Sequence, residues 1–427
     1  MALVSELELP VFDYADPSMR GERFQAAIGE LGSEGWLAEG PYGYIVLDRE
    51  AGEFFLRTRS AIFPGMKIAE IFGVTEGPLY EQMRRNILHV NGPDHTRLRS
   101  LVNPALSPRA VERYRPAMRG FMEGLFAQAT AGRAQAEPQG GGPEGRAGGE
   151  IFTCEFVEAF AKPYPSLAIA MVMGAPLEDA PRLHHWSNWI QRQFDAASMA
   201  SEREGIERAV EEFYEYAGAL VEARRSDPGD DLISRLIEAE DQGERLDAEE
   251  CINLVFNVLV GGVDTSQSQL AHAVRLLAEH PEQWARLAED PTLSERAVEE
   301  ALRYEPITPF TARITTEDVT FRDVVFPEGT IVMVCAFTAN RDLDQDAAGP
   351  GGPDRFDIMA DRARARSLTF GAGVHNCLGA NLARVELQEG LAFLAPRMRG
   401  LELDGEPVFE SITGIYGLAE LPIRFSL

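Results

Sequence analysis

The 427-residue chain has only four cysteines, Cys154, Cys251, Cys335 and Cys377, and no two of them form a C-x-x-C pair. That scarcity argues against a disulfide framework or a zinc cluster and leaves cysteine chemistry to isolated sulfurs. Long apolar runs are missing too. The most hydrophobic stretch, Leu254 to Val263, includes Asn257 and two glycines and stops short of the roughly 20 residues a membrane span needs. The N-terminus is acidic and leads to no small-residue cleavage site, so no export signal is read and a cytoplasmic location is expected. Positive charge is in deficit: 40 Lys and Arg face 68 Asp and Glu, a net charge of −28, which opposes general attraction to nucleic acid or an anionic membrane. Internal repeats are absent, as is a G-x-G-x-x-G segment following a strand, so neither a repeat array nor a dinucleotide-binding unit is indicated.

What is present is mostly helical periodicity, as in Ala110 to Phe126, Glu204 to Arg224, Glu282 to Leu287 and Ala380 to Leu394. Strand patterns are short: Gly43 to Leu47, Val319 to Phe321, Thr330 to Ala336 and Leu421 to Phe425. The expected fold class is mostly α with small β-sheets. A Gly/Ala/Glu-rich segment near 129–150 reads as a mobile insertion within one domain spanning 1–427, and Asp342 to Asp354 reads as an irregular loop. Asp247 and Glu250 form a D-x-x-E cap, apolar positions recur through Leu254, Val258 and Leu270, and His280-Pro281 is a stop. One unbroken helix of about 50 Å is predicted there.

Phe370-Gly371-Ala372-Gly373-Val374-His375-Asn376-Cys377-Leu378-Gly379 fits F-x-x-G-x-x-x-C-x-G and runs straight into an amphipathic helix. Its glycines permit tight backbone geometry around one cysteine. A sulfur at a helix N-terminus meets free N–H groups and the positive end of the helix dipole, which favour thiolate. Gly261-Gly262-Val263-Asp264-Thr265 places two glycines inside the long helix, each costing about 1 kcal/mol relative to alanine, so a close approach is the natural reason for them. His95 and Arg99 lie one turn apart on one face and suit an anionic partner.

With these motifs the chain resembles the cytochrome P-450 family from roughly Asp13 to its C-terminus. The resemblance implies a single-domain fold with haem b between a long distal helix and a proximal cysteine loop. Cys377 would be the iron ligand, since a thiolate pushes electron density onto iron and favours O–O cleavage. Phe370, Gly373 and Gly379 would shape its loop, and His95, Arg99, Arg313 and His375 would seat the propionates. Asp264 would relay protons toward the distal oxygen, and Thr265 would hold the hydrogen bond to the hydroperoxo group. Glu300 and Arg303 of E-x-x-R, with Arg355 of P-x-R-F, would form a structural network. Position alone suggests Val258, Gly262, Val263, Ile307, Phe310 and Ile415 as substrate-facing, within wider segments including Met66 to Asn91 and Ile412 to Tyr416. Plain alternatives are a buried structural cysteine, a surface acid at Asp264, a back-bonded helix threonine at Thr265 and a surface Glu300–Arg303 pair.

The implied activity is oxygen insertion from dioxygen into a hydrophobic small molecule, C–H hydroxylation being the usual case. No flavin or iron–sulfur motif is present, so NAD(P)H electrons would arrive through a ferredoxin and ferredoxin reductase or their equivalent. From Arg84 to Arg119 eight arginines (84, 85, 97, 99, 109, 113, 115 and 119) face only Asp94 and Glu112, a local net of +6, and Arg362, Arg364 and Arg366 form a second basic run. These predict a docking face for an acidic electron carrier, against the plainer reading of a solvated charge run. Two alternatives from other classes are a peroxygenase on the same fold and a non-enzymatic haem sensor or ligand carrier. The Asp264-Thr265 pair disfavours the first, and the lack of an output module disfavours a sensor.

Overall fold

The protein is described here from a computed structural model covering residues 1–131, 150–241, 246–343, 351–362 and 367–427. Most of the 129–150 segment, part of the loop after Asp342, and Arg364 and Arg366 lie outside the described residues.

The D-x-x-E cap forms as its chemistry dictates. The Asp247 carboxylate accepts from the Glu250 N–H at 2.7 Å, and the Glu250 carboxylate accepts from the Asp247 N–H at 3.2 Å. The helix it starts is not continuous, however. Ala248–Gly262 and Asp264–Glu279 are separate helices meeting at Val263 (φ −86°, ψ −72°). The cause lies in the sequence itself. Two glycines weaken the ladder at this point, and the Thr265 hydroxyl donates to the Gly261 carbonyl at 2.6 Å, a back-bond of the kind that bends helices. Within Asp264–Glu279 every residue except Thr265 and Glu279 is buried, so this helix runs through the interior.

Around it pack Ala380–Leu394, Ser294–Tyr304, Pro163–Met173 and Ala180–Gln191. Arg203–Ser226 lies over Ala180–Gln191 and Ala248–Gly262. The predicted helix at Ala380 to Leu394 matches the observed one, and Glu204 to Arg224 lies within Arg203–Ser226.

The strands gather into small sheets. The largest has the order Leu37–Gly40, Gly43–Val46, Ile331–Cys335, Phe310–Thr315, Ala61–Ile62, with the second and third strands parallel and the other neighbours antiparallel. Arg399–Leu403, Pro422–Ser426 and Ile151–Glu155 form a three-stranded antiparallel sheet. The chain is mostly α with small sheets. The main core is helical, and a separate aromatic cluster under the large sheet joins Phe12, Tyr14, Phe24 and Tyr416.

Candidate active site

The cysteine loop is closed by its own backbone. The Cys377 N–H donates to the Phe370 carbonyl at 2.8 Å, and the Asn376 side-chain amide donates to the carbonyls of Phe370 and Gly371 at 3.2 and 3.1 Å. Gly373 (φ +73°) is required: a Cβ there would lie 2.3 Å from the Leu56 carbonyl oxygen. Gly379 is the residue before helix Ala380–Leu394, and the Arg384 guanidinium lies 4.6 Å from the Phe370 ring centroid. Cys377 keeps an accessible face. Burial of the rest pushes its thiol pKa up, against backbone N–H groups at Gly379 and Ala380 and the charges of Arg99 and Arg384. The helix terminus therefore acts in the expected direction, but desolvation is the larger effect.

The loop's approach is braced, by a different arginine from the expected one. Glu300 accepts from Arg303 Nε and Nη2 at 2.8 and 2.9 Å, from the Asp357 N–H at 2.8 Å, and from Arg362 Nη1. Arg303 and Arg362 also donate to the Arg355 carbonyl. The Arg355 side chain is exposed, and among the described residues Arg355 joins through that carbonyl, so the buried network is Glu300–Arg303–Arg362. Arg362 belongs to a run that reads as a surface docking patch, and nothing in the local sequence marks it as buried. Asn340 adds a second brace: its amide donates to the Arg303 carbonyl and to Thr369 Oγ1, and its Oδ1 accepts from the Leu368 N–H at 2.6 Å.

The four expected anion-seating groups converge. His95 and His375 have ring centroids 4.1 Å apart, and His375 Nε2 is 2.9 Å from Asn91 Oδ1. Among the described residues, Arg99 and Arg313 have no carboxylate partner. Arg313 is 2% exposed, and its hydrogen bond goes to the adjacent Ala312 carbonyl. Burial lowers Arg313 to about 10, His95 to about 4 and His375 to about 3, with Arg99 adding to the His95 shift and His95 to the His375 shift. His89, which the sequence reading passed over, is buried beside them and stacked on Phe63, and burial lowers its pKa to about 4. Buried cations without acids are costly unless an anion joins them. This donor set fits the two carboxylates of a haem.

On the other side, Gly261 and Thr265 share one face. A Cβ on Gly261 meets nothing within 4 Å, so a flat group can come close there. Gly262 turns the other way, where a Cβ would strike Ile169 at 2.3 Å, and Val263 is fully buried. Both expected substrate contacts therefore belong to core packing, with Gly261 on the open face. Phe310 is likewise half-buried among Phe12, Tyr14 and Phe24. Val258 and Ile307 are buried and Ile415 is half-buried, and the Ile307 carbonyl accepts from the Tyr416 N–H at 2.8 Å, joining two of the expected segments.

Asp264 is buried rather than a surface acid. Its carboxylate accepts from Ser187 Oγ and from Asn188 Nδ2 at 3.4 Å, both on the overlying helix Ala180–Gln191. Burial raises its pKa against these hydrogen bonds and the field of His184.

The surface arginine run is largely neutralised in space. Arg84 pairs with Glu81, Arg85 with Glu249, Arg97 with Glu250, Arg113 with Asp230, and Arg115 and Arg119 with Glu389. The acids at 230, 249, 250 and 389 come from elements distant in sequence, so the local +6 overstates the field.

Among the described residues no helix is long and apolar enough to cross a membrane. Residues 183–395 match the cytochrome P450 family profile. Luteothin monooxygenase of Streptomyces thioluteus is 33% identical over 98% of this chain and 96% of its own length. Mycinamicin IV hydroxylase/epoxidase of Micromonospora griseorubida is 35% identical over 76% of this chain and 75% of its own. The crystal structure of CalO2 superposes with a TM-score of 0.85 at 29% identity, covering 98% of this chain and 99% of that one. With its single cysteine loop, interior helix and small sheets, the chain belongs to the cytochrome P450 family of haem-iron oxidoreductases.

Proposed function

We propose that this chain, as one domain over 1–427, inserts an oxygen atom from dioxygen into a hydrophobic small molecule, most simply by hydroxylating a C–H bond. Electrons would come from NAD(P)H through a separate ferredoxin and reductase. The observation that carries this reading is the placement of one accessible cysteine in a glycine-shaped loop near buried Arg313 and half-buried Arg99, neither of which has a carboxylate partner among the described residues. Relatives named as a monooxygenase and a hydroxylase/epoxidase support it.

When bound, haem supplies the iron that activates dioxygen. Cys377 would hold that iron as thiolate, shedding its proton on binding because metal ligation requires the deprotonated sulfur. Phe370, Gly373 and Gly379 fix the loop, while Arg99, Arg313, His95 and His375 would donate to the propionates. Thr265 spends its hydroxyl proton on the Gly261 carbonyl, so its oxygen is free to accept a hydrogen bond on the open face. Asp264, held by Ser187 and Asn188, would hand protons to that face. Val258, Ile307 and Ile415, with Gly261, would border an apolar substrate. An electron carrier would dock near the exposed Val374 and Arg109; Arg109 has no carboxylate partner among the described residues, and its short helix packs on Ala380–Leu394.

The decisive experiment is the absorption of the reduced carbon-monoxide complex. The native protein is expected to give the red-shifted thiolate band, and Cys377→Ser or Cys377→His to lose it together with dioxygen-dependent turnover. A histidine-type band in the native protein, or turnover surviving the substitution, would overturn the reading. Turnover with hydrogen peroxide but not with ferredoxin, reductase and dioxygen would move the protein to the peroxygenase class.

A further inference from the structure

Asp264 lies within electrostatic reach of another carboxyl, Glu410, from the far end of the chain. Glu410 follows the strand Val408–Phe409 at the mouth of the C-terminal hairpin, where its N–H donates to the Gly417 carbonyl at 3.0 Å. A Cβ on Gly417 would stand 2.5 Å from Glu410 Oε2 and 2.7 Å from Ser268 Oγ. Only glycine leaves room for the carboxyl and the hydroxyl to flank that point. Ser268 lies one helical turn beyond Asp264 on the same face of Asp264–Glu279. Glu410 is half-buried and so keeps contact with solvent, while Asp264 is 5% exposed.

We propose that Glu410 is the outer carboxyl of the proton path, taking protons from solvent at the C-terminal hairpin and passing them past Ser268 to Asp264. This rests on the reading of Asp264 given above and adds the residue that reloads it. In each transfer Asp264 has already given its proton to the open face and is ionised; the Glu410 O–H bond breaks, an O–H bond forms on Asp264, and the Glu410 carboxylate is reprotonated by hydronium or buffer acid from bulk solvent. No redox change is involved.

The electrostatics suit the role. Burial, and then the charge of Asp264, raises the Glu410 pKa, while Lys162 and Arg192 pull it down. Asp264 faces Ser187, Asn188 and His184 from the overlying helix. Two carboxyls in one low-dielectric site do not both ionise cheaply, so the charge of Asp264 adds to burial in holding the proton on Glu410. Protonated Glu410 is the donor, so proton delivery should fall as pH rises through its raised titration.

Two measurements on the haem-loaded protein test this. In an infrared titration of buried carboxyls, the band lost in Asp264→Asn identifies Asp264. Glu410→Gln should move that band's midpoint down by about one pH unit, because a neighbouring negative charge has gone; an unmoved midpoint overturns the pairing. In the second, dioxygen consumption driven by NADPH, an acidic plant-type ferredoxin and its reductase is followed in H2O and D2O from about pH 6 to 9. Glu410→Gln should slow it about tenfold, enlarge the solvent isotope effect and flatten the pH profile. Ser268→Ala should do the same more weakly.

A native rate in Glu410→Gln with a slowed Asp264→Asn overturns the Glu410 inference alone, whereas a native rate in both overturns the proton role of Asp264 itself. Variants are compared only where the reduced carbon-monoxide band is intact. If Glu410→Gln does not fold, Glu410→Asp, which withdraws the carboxyl by one methylene, should slow consumption to an intermediate degree, and a native rate there counts against the proposal.

Discussion

Two sets of arginines in this molecule look alike in sequence and differ in space. Those from Arg84 to Arg119 lie mostly at the surface, and most meet a carboxylate, five of them across elements distant in the chain. Arg99, from the same run, and Arg313 instead sit beside His89, His95 and His375 with no carboxylate partner among the described residues. The first set is a balanced surface and the second an unbalanced interior. A cation that folding desolvates and does not neutralise is costly by itself, so its presence points to an anionic ligand. A cation run on an acidic chain, by contrast, is readily neutralised.

The buried and balanced case sets the upper end of the scale. Glu300→Gln would strand Arg303 and Arg362 in the interior, and a loss of about 3–5 kcal/mol is expected, read by chemical denaturation; a loss near that of a surface pair would mean the network relaxes to solvent. Next comes the unbalanced cluster. Arg313→Leu should release haem to apomyoglobin about 10- to 100-fold faster, the range of one charge-assisted contact, while the haem-free protein becomes no less stable. Equal loss of stability in both forms would make Arg313 a packing residue and erase the contrast. The smallest effect belongs to the surface. Arg113→Ala breaks a pair whose acid side chain is 77% exposed and should cost no more than about 1 kcal/mol, with reduction by ferredoxin nearly unchanged. Arg109→Glu should slow that reduction at low salt and lose its effect at high salt. The reverse order for these two arginines would restore the broad docking face.

Local chemistry was legible wherever a motif is its own reason. The D-x-x-E cap, the glycine-shaped cysteine loop and the helix Ala380–Leu394 follow from residues within a few positions of one another. The break at Val263 was legible in part: two glycines marked a special point, but the hydroxyl bond that turns weakness into a bend depends on a rotamer. The substitution of Arg362 for Arg355 was not legible, because both belong to short polar segments and only packing against Glu300 decides which guanidinium is buried. The packing of Gly262 against Ile169 and the burial of Val263 were not legible either, because position in the chain does not say which side of the helix meets a neighbouring helix.

By itself, then, the sequence determined the fold class, the family and the single chemically suited sulfur, because these rest on periodicity and on spacings within one loop or helix. Tertiary structure decided which charges cancel, which arginine braces the cysteine loop, which glycine faces the open side and which carboxyl feels the charge of Asp264. Those outcomes depend on contacts between residues up to hundreds of positions apart, and on a dielectric environment that exists only once the chain has packed.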